Sequence, residues 1–205
     1  MPPRSYVSSV RNAAAAETRD RVIEAASRTL REGESIARFS LDTVAKAAGV
    51  TRLTVYNQFG SRRGLLEAVF DEIALAGGLH QIADIMTMSD PRAALDRMVE
   101  VFCGFWSRDS AVGRLHDAMA TDPDFAEAVR ERNERRRKGL TVLIGRIAGQ
   151  DAPAQARKDA VDLIFALTSY PTFASLSVGR SRDEVCRLVQ EASHAALAPL
   201  SNPSS

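Results

Sequence analysis

The residues whose types and spacing can do recognisable work lie between positions 40 and 63. The run Ser40-Leu41-Asp42-Thr43-Val44-Ala45-Lys46-Ala47-Ala48-Gly49-Val50-Thr51-Arg52-Leu53-Thr54-Val55-Tyr56-Asn57-Gln58-Phe59 reads as two short helices joined by a tight turn. Ser40 and Thr51 carry hydroxyls that accept from the orphan amides of a first helical turn. Leu41, Val44, Ala45 and Ala48 fall on one apolar face. Gly49 supplies the conformation needed to leave the first helix. Ala45, Ala47 and Ala48 let a second helix approach closely. This is the pattern of a helix-turn-helix, whose second helix enters the DNA major groove. The chemistry is hydrogen bonding and charge at a polyanion, without bond making.

Past Phe59 the chain continues Gly60-Ser61-Arg62-Arg63-Gly64-Leu65-Leu66 into a further apolar-periodic helix that Ser61 caps. Two arginines in a first turn oppose the helix macrodipole, which favours anions there. They become sensible if a phosphate sits at that end. At these residues the chain resembles the TetR/AcrR family of transcriptional repressors. The elements that carry the resemblance are Ala48-Gly49-Val50, Tyr56-Asn57-Gln58-Phe59, Arg62 and Leu65-Leu66, and they cover about the first third of the chain. Gln58 stands where the family often has His, Arg62 where it has Lys, and Leu53 where a Gly is common.

The resemblance implies an all-α fold: an N-terminal three-helix helix-turn-helix DNA-binding domain plus a larger C-terminal helical ligand-binding and dimerisation domain. It assigns Thr51, Arg52, Thr54, Asn57 and Gln58 to groove or phosphate contact. Tyr56 and Arg62 hold the DNA backbone, and Leu53 meets a thymine methyl. Ser40, capping the first helix of the motif, joins the DNA-facing set.

The elements that must position these residues follow from the rest of the chain. Residues 1–12, with Pro2, Pro3, Ser5, Ser8 and Ser9, are expected to form a flexible arm whose Arg4 and Arg11 either reach a phosphate or minor groove or do nothing. Residues 13–60 form the DNA-binding domain, beginning with a helix striped by Val22, Ile23, Ala26 and Leu30. Residues 61–78 form a connecting helix that Gly77-Gly78 breaks. Residues 79–205 form the ligand-binding and dimerisation domain. Within it, helices are expected from Pro91, from Ser110 to about Ala120, and from Pro123 to about Ala148. A long helix over Ala154 to about Val178, interrupted or kinked by Pro171, is followed by one from Arg182 to about Ala198 and a frayed tail from Pro199. In the helix from Pro123, the stretch Arg130 to Lys138 reads as a solvated charged face with helix-compatible acid–base pairs.

Charge agrees with a polyanion partner at one end. The chain has 205 residues and a formal net charge of only +1, but residues 1–66 hold 11 Lys or Arg against 6 Asp or Glu. That is a local +5, leaving −4 for the remainder. Cys103 and Cys186 are far apart in sequence, show no metal spacing and read as reduced thiols of a cytoplasmic protein. No secretory leader pattern opens the sequence. The uncharged run Leu163 to Gly179 contains several Ser and Thr and reads as a buried helix rather than a membrane crossing.

No phosphate-binding glycine loop, nucleophile elbow or His-Glu-x-x-His motif is present, so no catalytic residue, metal or cofactor is expected. In the larger domain Phe102, Cys103, Trp106, His116, Met119, Phe165, Tyr170 and Phe173 lie on helices that the resemblance places around an effector site, with His116, Thr168 or Tyr170 as polar anchors. The same pattern is that of an ordinary core, and both readings stand at this point. No cluster of charges there demands a charged effector. The uncharged run and the small residues after it suggest a homodimer through Phe173, Ala174, Ser177, Leu188, Ala192, Ala195 and Ala196. The expected function is a ligand-responsive repressor of a palindromic operator, released by a small apolar or amphipathic molecule. The alternatives are an activator of the same family, or a helical sensing or protein-interaction module without DNA binding.

Overall fold

The computed structural model of the chain describes residues 4–33, 35–149 and 152–200. Among them the chain forms eleven α-helices and no strand. In order these are α1 (Arg4–Glu32), α2 (Leu41–Ala48), α3 (Arg52–Phe59), α4 (Arg62–Ala76), α5 (Ile82–Ile85), α6 (Pro91–Arg108), α7 (Ala111–Thr121), α8 (Pro123–Ala148), α9 (Ala154–Leu167), α10 (Tyr170–Leu176) and α11 (Arg182–Leu197). None is long and apolar enough to cross a membrane. The chain divides into two compact units. The first comprises residues 1–72 and 110–126, the second residues 73–109 and 127–205.

Three expectations, on the arm, the larger domain and the tail, differ from the structure, and one alternative is resolved. The expected arm is helical from Arg4 onward. The only helix breakers, Pro2 and Pro3, precede it, and the Ala13–Ala16 run is strongly helix-forming. Residues 1–3 and the side chains of Arg4 and Arg11, with the contacts expected of them, lie outside the described residues. The helix expected over 154–178 is interrupted rather than kinked, giving α9 and α10. Pro171 suits the first turn of a helix and not its interior, so Ser169 starts α10 afresh, its hydroxyl accepting from Thr172 N. The domain expected over 79–205 is not one unit, because residues 110–126 join the first. α7 packs against α1 and the 3-10 turn Ile36–Arg38, burying Val112, Leu115 and Ala118. The tail also starts later than expected: Ala198–Leu200 make a 3-10 turn with Leu200 buried.

In the first unit, α2 is held at both ends by its own sequence. Ser40 Oγ accepts from Thr43 N at 3.1 Å, and Gly49 leaves the helix at φ 67°, a left-handed conformation that a β-carbon resists. Val44, Ala45 and Ala48 are buried, as are Val22, Ala26 and Leu30 of α1, which packs on α2. Gly64 is also required by contact. A β-carbon there would stand 2.1 Å from the Phe59 carbonyl oxygen, so only glycine lets α4 begin this close to the end of α3.

The second unit is a helical core with two apolar clusters. One gathers Leu95, Met98 and Phe102 of α6 with Leu140, Leu143 and Ile144 of α8 and Val161 and Ile164 of α9. The other joins Val99 and Cys103 of α6 to Phe173 of α10 and Val185 and Val189 of α11. α6 starts on Asp90, whose carboxylate accepts from Arg92 N and Ala93 N. α11 starts on a reciprocal capping box between Ser181 and Glu184.

Candidate DNA interface and effector core

α3 presents one face to solvent. Arg52, Leu53, Tyr56 and Asn57 are exposed, whereas Val55 on the opposite side is fully buried. Spacing of one and four residues puts those four side chains on one stripe. Leu53 is 64% exposed, an uncovered apolar side chain at the start of the helix. Thr51 caps α3, its hydroxyl accepting from Thr54 N at 3.1 Å and lying 2.9 Å from the Thr54 hydroxyl. Arg52 Nε stands 3.7 Å from Asp42 Oδ2 with both side chains mostly exposed, a pair weak enough for a phosphate to replace.

Two residues assigned to DNA from the sequence are turned inward. Gln58 donates from Nε2 to the Ala15 carbonyl at 3.3 Å, and its own carbonyl accepts from Arg19 Nη1. The Arg19 guanidinium also lies over the Phe59 ring, 4.6 Å from its centroid. Gln58 therefore ties α3 to α1. Arg62 is likewise engaged within the chain. Its Nε donates to Phe39 O at 3.1 Å, its Nη2 reaches Ile36 O, and its Nη1 pairs with Asp122 Oδ2 at 2.8 Å. Its neighbour Arg63 donates to Glu67 Oε1 at 2.6 Å. The two arginines are internal braces and do not converge on one anion. Ser61 does cap α4, accepting from Gly64 N. Sequence reasoning missed Arg19 and Asp122; both partners lie far away along the chain, and no local pattern marks them.

Of the effector-site residues, Phe102, Trp106, Phe165 and Tyr170 are brought together in the second unit. Trp106 stacks with Phe102 at 6.2 Å between ring centroids and meets Tyr170 edge-on at 5.7 Å. Its indole Nε1 donates to Thr168 O at 3.0 Å. Phe173 lies in the other cluster of the same unit, beside Cys103. His116, which is exposed, and Met119 belong to the first unit.

The centre of the group is a residue that the sequence reading placed on a solvated face. Arg136 of α8 points inward, with its guanidinium 4.0 Å from the Phe165 centroid and 5.2 Å from that of Phe102. Nη1 donates to Thr168 O at 2.8 Å and to Thr168 Oγ1 at 3.2 Å, and Nη2 donates to Phe165 O at 3.2 Å. Its Nε is buried without a partner. Burial, assisted by the nearby charge of Arg137, lowers its pKa to about 10. Arg137 differs: it is half exposed and pairs with Asp162 and Glu134.

Among the residues assigned to a dimer face, Leu188 and Ala195 are exposed, and Ala174, Ser177, Ala192 and Ala196 are half-buried. Phe173 is corrected, since it is buried within its own chain against Val185 and Val189. Leu163 and Val178, the latter 80% exposed, are uncovered apolar side chains at either end of the uncharged run.

Residues 22–69 match the family described as bacterial regulatory proteins, tetR family. The chain is 29% identical over 114 residues to the HTH-type transcriptional regulator EthR of Mycolicibacterium smegmatis, covering 54% of this chain and 52% of that one. It is 32% identical over 128 residues to the HTH-type transcriptional activator FasR of the same organism, covering 60% and 57%. The chain thus spans about half the length of the curated relatives it matches. Its fold is shared with the crystal structure of NalD, the secondary repressor of the MexAB-OprM multidrug efflux pump in Pseudomonas aeruginosa. That TM-score is 0.68 at 20% identity, over 90% of this chain and 97% of NalD. A SmeT–triclosan complex is similar at a TM-score of 0.65 and 19% identity, over 89% and 90%.

Proposed function

Taking the chain as a member of the tetR family of bacterial regulatory proteins, we propose that it is a DNA-binding transcriptional repressor released by a small molecule. The observation that carries the reading is the solvent-facing stripe Arg52, Leu53, Tyr56 and Asn57 on α3, presented after a Gly49 turn inside the matched segment. A helix of that exposure and polarity fits a major groove, with Thr51, Thr54 and Ser40 at its edges. The protein works as a cytoplasmic homodimer through the α10 and α11 faces that carry Ala174, Ser177, Leu188, Ala192, Ala195 and Ala196. Two copies of α3 then read a palindrome. The effector occupies the aromatic core around Phe102, Trp106, Phe165 and Tyr170. It relieves repression only by preferring the conformer that the operator does not. The triclosan complex of a similarly folded chain supports a small aromatic or amphipathic occupant.

The test is selection of a duplex from a random pool, followed by affinity against salt. Repression predicts a palindromic consensus and an affinity that falls steeply with salt. It also predicts loss of binding in Tyr56→Ala and Arg52→Ala. Absence of binding at low salt favours a sensing module without DNA contact. The name of FasR supports a second reading, activation from the same DNA contacts. Transcription in vitro from a promoter carrying the selected site separates the two by sign.

A further inference from the structure

Arg136 is a largely buried cation, and among the described residues no carboxylate pairs with it. Burying a guanidinium is costly unless an anion compensates the charge. Its hydrogen bonds explain only part of its position. The Thr168 and Phe165 carbonyls are the free end of α9, where a cation suits the macrodipole. That cap uses Nη1 and one hydrogen of Nη2. It leaves Nε–H and the second Nη2 hydrogen without work, and Nε is sealed from water. The adjacent Arg137, on the same helix and against the same ring, has its acids in Asp162 and Glu134. Of two neighbouring arginines, the more exposed Arg137 is neutralised by acids and the more enclosed Arg136 is held by carbonyls and rings alone.

We infer that the effector of this chain is an anion, an apolar or aromatic body bearing a carboxylate, and that Arg136 is its anchor. Guanidinium binds carboxylate through two parallel N–H donors. Phe102, Trp106 and Tyr170 supply the apolar surroundings. Phe165 is the way in. One of its neighbours is Arg136, and it also lines an open groove of about 640 Å³ along α8. Arg130, Arg135, Arg137 and Lys138 stand in the same groove, interleaved with Glu127, Glu131 and Glu134. The Phe165 ring is thus all that the groove and the guanidinium share, with the Arg137 guanidinium also 4.2 Å from its centroid. On arrival the carboxylate takes Nε–H and the remaining Nη2 hydrogen, the side of the fork that the α9 cap leaves unused. This inference rests on the regulator reading above and narrows its effector class.

The experiment uses the full chain and three probes of one tail length: decanoate, decanol and decylamine. Trp106 is the only tryptophan, and its ring lies against Phe102, so its emission reports occupancy. Decanoate is expected to saturate the signal at roughly tenfold lower concentration than decanol, with decylamine weaker still. Arg136→Met abolishes the preference for carboxylate, and Arg136→Lys keeps a reduced one, since charge remains without the fork. Equal binding of decanoate and decanol to the unmodified chain overturns the inference, as does no response to decanoate. A carboxylate preference that survives in a folded Arg136→Met chain does the same. Should that variant not fold, the comparison of probes on the unmodified chain decides. Binding to the selected duplex is measured on the same preparation. DNA binding without carboxylate preference removes the anion inference alone; carboxylate preference without DNA binding removes the repressor alone.

Discussion

Arg62 Nη1 stands 2.8 Å from Asp122 Oδ2, so the basic residue of the helix-turn-helix flank is engaged inside its own unit. Asp122 has a second task there, since its Oδ1 accepts from Phe125 N in the first turn of α8. Arg62 meanwhile satisfies Phe39 O and Ile36 O at the 3-10 turn before α2. One ion pair therefore fixes the start of α4, the approach to α2 and the start of α8.

A double-mutant cycle on this pair tests that role. Arg62→Ala and Asp122→Ala are each expected to lose about 2 kcal/mol of stability, because a mostly buried charge is left unpaired. Their coupling should be about 1 kcal/mol in denaturant unfolding. A DNA phosphate role for Arg62 predicts the opposite pattern: unchanged stability and a salt slope of DNA binding reduced by about one.

Leu53 should contribute selectivity rather than electrostatic affinity. Leu53→Ala is expected to weaken binding to the selected duplex by about 1 kcal/mol and to relax preference for thymine at one position. The salt slope should not move. A uniform loss across all sequences would remove Leu53 from base contact.

The α3 cap can be measured without DNA. Thr51→Ala removes the acceptor for Thr54 N and should cost about 1 kcal/mol in thermal or denaturant unfolding. Thr51→Ser should restore most of it, because only the hydroxyl is needed.

The two thiols should react differently with pH. Cys186 packs against the cluster that holds Cys103, and the interaction of the two thiols lowers the pKa of Cys186 and, with burial, raises that of Cys103. Alkylation by iodoacetamide, followed by mass spectrometry between pH 6 and 9, is expected to label Cys186 first. Its labelling rate should rise at lower pH than that of an ordinary thiol. Cys103→Ser should move this profile. Faster labelling of Cys103 would contradict the assignment.

The capping box of α11 gives a stability effect with a defined sign. Glu184 accepts from Ser181 N, which lowers its pKa below the usual carboxylate value. A carboxyl depressed on folding adds stability above its unfolded pKa and loses it as pH falls through the folded one. The melting temperature should therefore fall on acidification below the ordinary glutamate range. Glu184→Gln should fall less over that window.

How far the sequence carries the structure depends on the range of the interaction. Ser40, Gly49, Thr51, Asp90 and Ser181 were legible because a cap involves residues within four positions of one another. The family motif was legible for the same reason. The intrachain partners of Gln58 and Arg62, Ala15 and Asp122, lie 43 and 60 residues away, beyond the reach of any local pattern. Arg136 was misread because the 130–138 stretch is charged on every side. Which of its arginines turns inward is decided by Phe102, Phe165 and Thr168, and periodicity gives no weight to one over another. The membership of α7 in the first unit likewise depends on what its apolar face meets.

The Thr168 carbonyl oxygen accepts from two side chains at once, Trp106 of α6 and Arg136 of α8. An sp² oxygen has two lone pairs, and here each is held by a different helix. Removing either donor forfeits one of the two hydrogen bonds, about 1 kcal/mol, at a buried residue. The junction between α9 and α10 therefore behaves as a logical conjunction: it is at rest only when both helices are in register. Losing Trp106 or losing Arg136 breaks the same condition, so substitutions in two different helices are expected to disturb one junction.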